Sequence, residues 1–430
     1  MRHGFPLNPP ALAALAALAL QAPAQEPAPP PPAGRLAASK EPGWPQWRGP
    51  RRDGISDEKG LLQSWPEGGL RLLWTAAGLG RGYASPVISG GMIAIPGDVG
   101  RDLVIFALDL EGKPLWQARN GRSWTRNYPG ARACCAFDGG RLYHLNAHGR
   151  AACLDAKTGR EIWSVDILQR FGGRVITWGL AECLLVDGPR LVVTPGGRLG
   201  AMAALDKNTG ETAWASDPIE GDNASYGSPI LFELGGRRHL AALSSRHVFG
   251  VDADTGKALW KRPRPSRYEA LCATPLLVGD GVFVTSPDNL GGALYRLTVA
   301  GAETRVQDAW ETRVDTLHGG AVLVDGTIYA SAYQAIRGWG AIDARTGEVR
   351  YEMNDLPAGS VLWADGRLYI LSERGDMALL KPGPGGLEFC GRFRPVPERK
   401  SDVWPHPVIL DGRLYLRYHD TLYCYDIRGR

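Results

Sequence analysis

Seven side chains, far apart along the chain, share one local setting: each precedes a glycine turn flanked by β-branched and aromatic residues. They are Tyr83 in GYASP, Arg132 in GARACC, Trp178 and Glu182 in WGLAEC, Tyr226 in SYGSP, His318 in LHGG and His406 in WPHP. Aromatic faces stack on flat ligands, and an arginine or histidine adds charge or a hydrogen bond. The set therefore suits a small molecule or a loop of a partner protein, and these seven are the candidate ligand-binding residues. The alternative is that they only plug and hydrate a central channel.

Signatures of catalysis are thinner. No C-x-x-C spacing occurs among the 7 Cys, which removes the usual zinc and c-type haem readings. G-x-S-x-G is absent, and the PGG and GGL stretches sit at strand turns rather than before helices, so no phosphate loop is expected. Glu182, Asp222 and Asn223 carry hard oxygen donors, but no pattern groups them. No catalytic residue and no metal ligand is nominated. With 49 basic against 45 acidic residues the net charge is +4, too small and dispersed for a nucleic-acid partner.

What could bring the seven candidates together is a repeat. LDAKTGREIW returns as LDLEGKPLW, LDKNTGETAW, VDADTGKALW and IDARTGEVRY, headed by Asp109, Asp155, Asp206, Asp252 and Asp343. A degenerate copy, YRLTVAGAETRVQDAW, has Thr298 in the aspartate slot. Apolar residues before the Asp, a Thr-Gly turn and a closing aromatic spell two strands joined by a short loop. Between the copies lies a second hairpin, seen as VISGGMIAI, LLVDGPRLVV or VILDGRLYL. Four strands every roughly 40 to 50 residues make a propeller blade. Aromatics in the outer-strand slot, Trp74, Trp116, Trp163, Trp214, Trp260, Trp310, Tyr351 and Phe389, count eight blades. The last repeat, TLYCYDIRGR, lacks its outer strand, whereas LRLLWTAAG with Trp74 has no partners before it. The two ends are expected to share one antiparallel blade, leaving the ring without open edges.

These repeats are similar to the tryptophan-docking repeats of the pyrroloquinoline-quinone (PQQ) repeat superfamily, over nearly all of residues 70–430. The opening WPQWRGPRRDGIS and the phrases GYASP, WGLAEC, HGG and WPHP resemble secreted PQQ-like propellers. The resemblance implies an all-β, eight-bladed propeller, and it spans two kinds of protein: quinoprotein alcohol dehydrogenases and the assembly lipoprotein BamB. A dehydrogenase would imply PQQ with Ca²⁺, and the adjacent Cys134 and Cys135 resemble the vicinal disulfide on which such enzymes stack the quinone. The metal-binding Glu, Asn and Asp set is not recognisable here, and no cofactor is expected. The reading is thus a binding or scaffold module. The alternatives are a PQQ-dependent alcohol or sugar dehydrogenase and recognition of an extracellular polymer.

At the N-terminus, Arg2, the apolar stretch ALAALAALAL and Ala22-Pro23-Ala24 read as a signal peptide over 1–24, cleaved near Ala24. Residues 25–43 are rich in Pro and Ala and read as an extended tether, followed by the propeller domain at 44–430. A periplasmic or secreted monomer without a transmembrane segment is expected.

Overall fold

In the repeated turn, Asp155 Oδ1 accepts hydrogen bonds from the Thr158 amide at 2.8 Å and the Thr158 hydroxyl at 2.6 Å, and Gly159 follows at φ 72°. The same carboxylate-to-turn pattern recurs at Asp206, Asp252 and Asp343. The glycine answers two demands. Its positive φ suits few other residues, and a Cβ added there would lie 2.5 Å from the Trp116 ring. The indole of the preceding blade therefore packs flush on the bare turn. Trp116 Nε1 then donates to Ala156 O at 3.0 Å. Trp74, Trp163 and Trp310 repeat this donation to Leu110, Lys207 and Ala344 at 3.0, 3.0 and 3.2 Å.

Two of the six docking tryptophans depart from this donation. Among the described residues Trp214 Nε1 has no partner, and the Ala253 carbonyl of the next turn accepts from Arg190 at 2.8 Å. Trp260 Nε1 is also unpaired. The next blade is the degenerate copy, where a long hairpin of Gly292–Ala300 and Glu303–Thr312 replaces the Asp turn.

The computed structural model describes residues 1, 3, 4, 33–396 and 398–429. Among them the strands form eight sheets, each built on an antiparallel blade of four strands; seven blades follow chain order, the eighth joins the two ends, and two carry a short extra strand at one edge. The helix Ile167–Phe171 is a single turn, capped by Asp166. Ring closure is as the two ends imply: Arg71–Ala76 pairs antiparallel with Thr421–Asp426, with Trp74 opposite Cys424. Apolar side chains from the facing sides of adjacent blades fill the seams, as where Ile105 and Ala107 of one blade meet Phe137 and Leu142 of the next. The protein is an all-β, eight-bladed propeller.

The leader read at 1–24 lies outside the described residues apart from 1, 3 and 4. No helix among the described residues is long and apolar enough to cross a membrane. The stretch read as a tether is described from residue 33, and there it is docked on the propeller. Gly34 N donates to Gly279 O at 2.8 Å, and Arg35–Leu36 adds a fifth strand beside Ile230–Leu234.

The chain then runs up the axis of the ring. Trp44 bridges Ile88, and Pro45 O accepts from Phe137 N at 2.9 Å. Arg48 Nη2 donates to Ala321 O, and Arg52 donates to Cys183 O and Leu184 O at 2.8 and 3.1 Å. Ile55–Ser56 finally pairs in parallel with Trp363 and Ala364. Buried arginines suit this position because a guanidinium can satisfy several inward-facing carbonyls at once. WPQWRGPRRDGIS is therefore a plug that ties the innermost strands together.

Candidate functional site

Above the plug lies a cavity of about 410 Å³. Its wall follows a simple register. The residue four places before an innermost strand lines the cavity in seven blades: Tyr83, Arg132, Ala181, Tyr226, Cys272, Leu317 and Trp404. The floor is Trp47 of the plug, whose Nε1 donates to Thr274 Oγ1 at 2.9 Å. Loops between the second and third strands add Asp288, Tyr333 and Glu373.

Five of the seven candidates meet here: Tyr83, Arg132, Trp178, Tyr226 and His318. His318 stacks on Trp404 with centroids 4.1 Å apart at 23°, and Tyr83 lies against the same indole at 4.6 Å. Tyr226 packs beside Trp178 at 5.7 Å, and its hydroxyl accepts from the Trp178 amide at 3.3 Å. The Arg132 guanidinium sits 5.3 Å from the Trp124 ring and donates to the carbonyls of Gly130 and Tyr128 at 3.0 and 2.7 Å. Burial lowers its pKa to about 10, so it stays charged at neutral pH.

The structure places the other two candidates outside the cavity lining. Glu182 is 1% exposed and points away from the cavity, accepting the Thr194 amide at 2.8 Å. It follows Ala181, and in extended chain a shift of one residue turns the side chain to the opposite side. Burial raises its pKa to about 7, and its second oxygen, Oε1, is unpaired. His406 lies two residues beyond Trp404, deeper on the axis and 4.5 Å from the Trp47 ring. Its Nδ1 faces Arg48 Nη1 at 3.3 Å and its Nε2 faces His318 O at 3.3 Å. A donor on one side and an acceptor on the other assign the proton to Nε2. Burial, with Arg48 adding to it, lowers the pKa to about 3, so His406 is a neutral strut beneath the cavity.

Cys134 and Cys135, the possible vicinal disulfide, are unbridged in this structure, fully buried and outside the cavity lining. They pack in the seam between two blades, and burial pushes the Cys135 thiol up. Cys134 N donates to Cys183 Sγ at 3.1 Å. His144 and His148 stand four apart, a spacing that places two ligands on one face only in a helix. Here His144 lies on a strand and bonds Asn120 and Ala133 O.

Sequence reasoning missed Trp47, Tyr128, Tyr268, Tyr333 and Trp404, which complete the aromatic lining. Aligning GYASP, SYGSP and WPHP on the first residue of the following strand, rather than on the most reactive side chain, would have found Trp404.

Fold and site together define a propeller of PQQ-like repeats with an aromatic axial cavity. The model of the family described as outer membrane protein assembly factor BamB matches residues 100–349, more than half of the chain, and the protein belongs to that family. A BamB of Alkalilimnicola ehrlichii is 29% identical over 220 residues, 50% of this chain and 51% of that one. A lanthanide-dependent methanol dehydrogenase of Methylacidiphilum fumariolicum is 29% identical over 163 residues, 34% of this chain and 25% of that one. The matched part thus spans between a quarter and a half of these relatives. Among solved structures, BamB of Moraxella catarrhalis superposes with TM-score 0.58 at 14% identity, covering 84% of this chain and 98% of that one. A quinohemoprotein alcohol dehydrogenase of Comamonas testosteroni gives 0.61 at 13%, covering 91% and 81%. Both likenesses concern the fold.

The dehydrogenase relatives raise the question of a quinone and its metal ion, and the residues present do not fit them. Among the described residues no three His, Cys, Asp or Glu side chains gather closely enough to hold a cation. No bridged cysteine pair lines the cavity.

Proposed function

We propose that the protein is an exported, non-catalytic binding module that takes a small molecule or a partner's loop into the axial cavity. The observation that carries this reading is the cavity itself. Aromatic side chains from separate blades converge above a floor made by the chain's own Trp47. Such a pocket has the size and apolar lining of a ligand site, with a few polar groups to orient what enters. BamB relatives, named as assembly factors, favour a partner protein. The donor set favours binding over redox chemistry.

Reconstituting the mature protein with PQQ and either Ca²⁺ or a lanthanide, then assaying dye-linked oxidation of methanol, ethanol and glucose, tests the reading. It predicts no turnover above that of the free quinone. Saturable turnover dependent on both quinone and metal would replace it with the dehydrogenase reading.

A further inference from the structure

Part of the cavity lining has chemistry more specific than aromatic stacking. Tyr128, Tyr268 and Tyr333 stand at its mouth with 49%, 58% and 41% of their surface exposed, so packing does not account for them. Asp288 and Glu373 lie close enough to Tyr333 for their charges, and the Tyr128 hydroxyl, to act on its own hydroxyl. Among the described residues Asp288 makes no ion pair, and Glu373 pairs only with the His318 ring at 3.7 Å. A third lining carboxylate, Asp402, is neutralised by Arg399. The single cation of the wall, Arg132, is turned to Trp124 and to two backbone carbonyls. Arg267, outside the lining, sets its guanidinium 5.8 Å from the Tyr268 ring and lends some positive charge to Asp288.

We propose that this cavity, lined by Tyr128, Tyr268 and Tyr333 together with Asp288 and Glu373, binds a small organic cation of the quaternary-ammonium class. The inference rests on the reading of the cavity as a ligand site and narrows its ligand. Aromatic quadrupoles attract a cation, most strongly one that sheds its water readily, and methylated ammonium does so. Two carboxylates that make no ion pair with Lys or Arg among the described residues add long-range attraction of the same sign. An anion would meet both carboxylates, with Arg132 in the lining and Arg267 outside it in compensation. The cavity, at about 410 Å³, has room for a head group and a further substituent.

The test is calorimetric titration of the mature protein at low salt with choline and, separately, with its neutral carbon isostere 3,3-dimethylbutan-1-ol. A trimethyl-lysine peptide forms a third arm that separates a free ligand from a modified partner chain. Choline is expected to bind saturably and at least tenfold more tightly than the isostere, and the Asp288→Asn, Glu373→Gln double variant is expected to lose that difference while keeping its melting temperature. Equal affinity for choline and the isostere would overturn the cation preference while leaving a ligand cavity in place. Binding of neither, or of the peptide alone, would overturn the proposal of a small free cation.

Discussion

The imidazole of His318 lies stacked on the indole of Trp404, with ring centroids 4.1 Å apart and planes at 23°. These residues come from different blades, and their contact joins the wall of the axial cavity across a gap that no backbone pairing spans. A ring this close shields the protons of its neighbour. Trp404→Ala is therefore expected to move the His318 ring resonances downfield in proton NMR with only a small change in melting temperature. Unchanged resonances would mean the stack does not form in solution.

The docking tryptophans make a stability prediction. Trp163 is 9% exposed, packs on Gly210 and donates to Lys207 O at 3.0 Å. Replacing it with Ala removes an indole between two blades and should cost about 3 to 5 kcal/mol in chemical denaturation. A loss below about 1 kcal/mol would contradict the role of the repeat as an inter-blade dock.

Closure is tested by truncation. Deleting residues 70–78 removes Arg71–Ala76, the outer strand of the blade that both ends build. The edge of Thr421–Asp426 would then be unpaired, and the melting temperature should drop by several degrees with more aggregation. A truncated protein that melts with the full-length one would show that the ring does not depend on the shared blade.

Glu182 gives a pH dependence. Its folded pKa, about 7, lies above the ordinary glutamate value of 4.5, so between these values the folded state holds a proton that the unfolded state has released. Stability from this group is therefore intact below about pH 4.5 and declines as pH rises toward 7. The shift of about 2.5 corresponds to about 3 kcal/mol at most. Glu182→Gln keeps an acceptor for the Thr194 amide and cannot ionise. Its melting temperature should exceed that of the parent at pH 8 and match it near pH 4.5. A variant less stable than the parent at pH 8 would mean the carboxylate is stabilised in place by Arg52.

Much of the fold was legible because the repeat is written in residues whose physical duties are local. Asp155, Thr158 and Gly159 make their turn within a few residues, and the glycine also betrays the tryptophan that lies on it. Closure was legible from Trp74 and Asp426, since each end lacked what the other had. The site was legible only as a neighbourhood. Glu182 and His406 were chosen for their chemistry, but direction in an extended segment changes with every residue, so Ala181 and Trp404 hold the wall instead. The plug was not legible at all. Nothing local in WPQWRGPRRDGIS tells that Arg48 and Arg52 will meet carbonyls of Ala321, Cys183 and Leu184, because those contacts exist only once the ring has formed.

Whether the axial cavity is a binding site that does not serve a quinone is decided by calorimetric titration of the purified mature protein with PQQ in the presence of Ca²⁺. The expected dissociation constant is no tighter than about 0.1 mM, a free energy near 5.5 kcal/mol, with no dependence on Trp178. Saturable micromolar binding that is abolished by Trp178→Ala would contradict it.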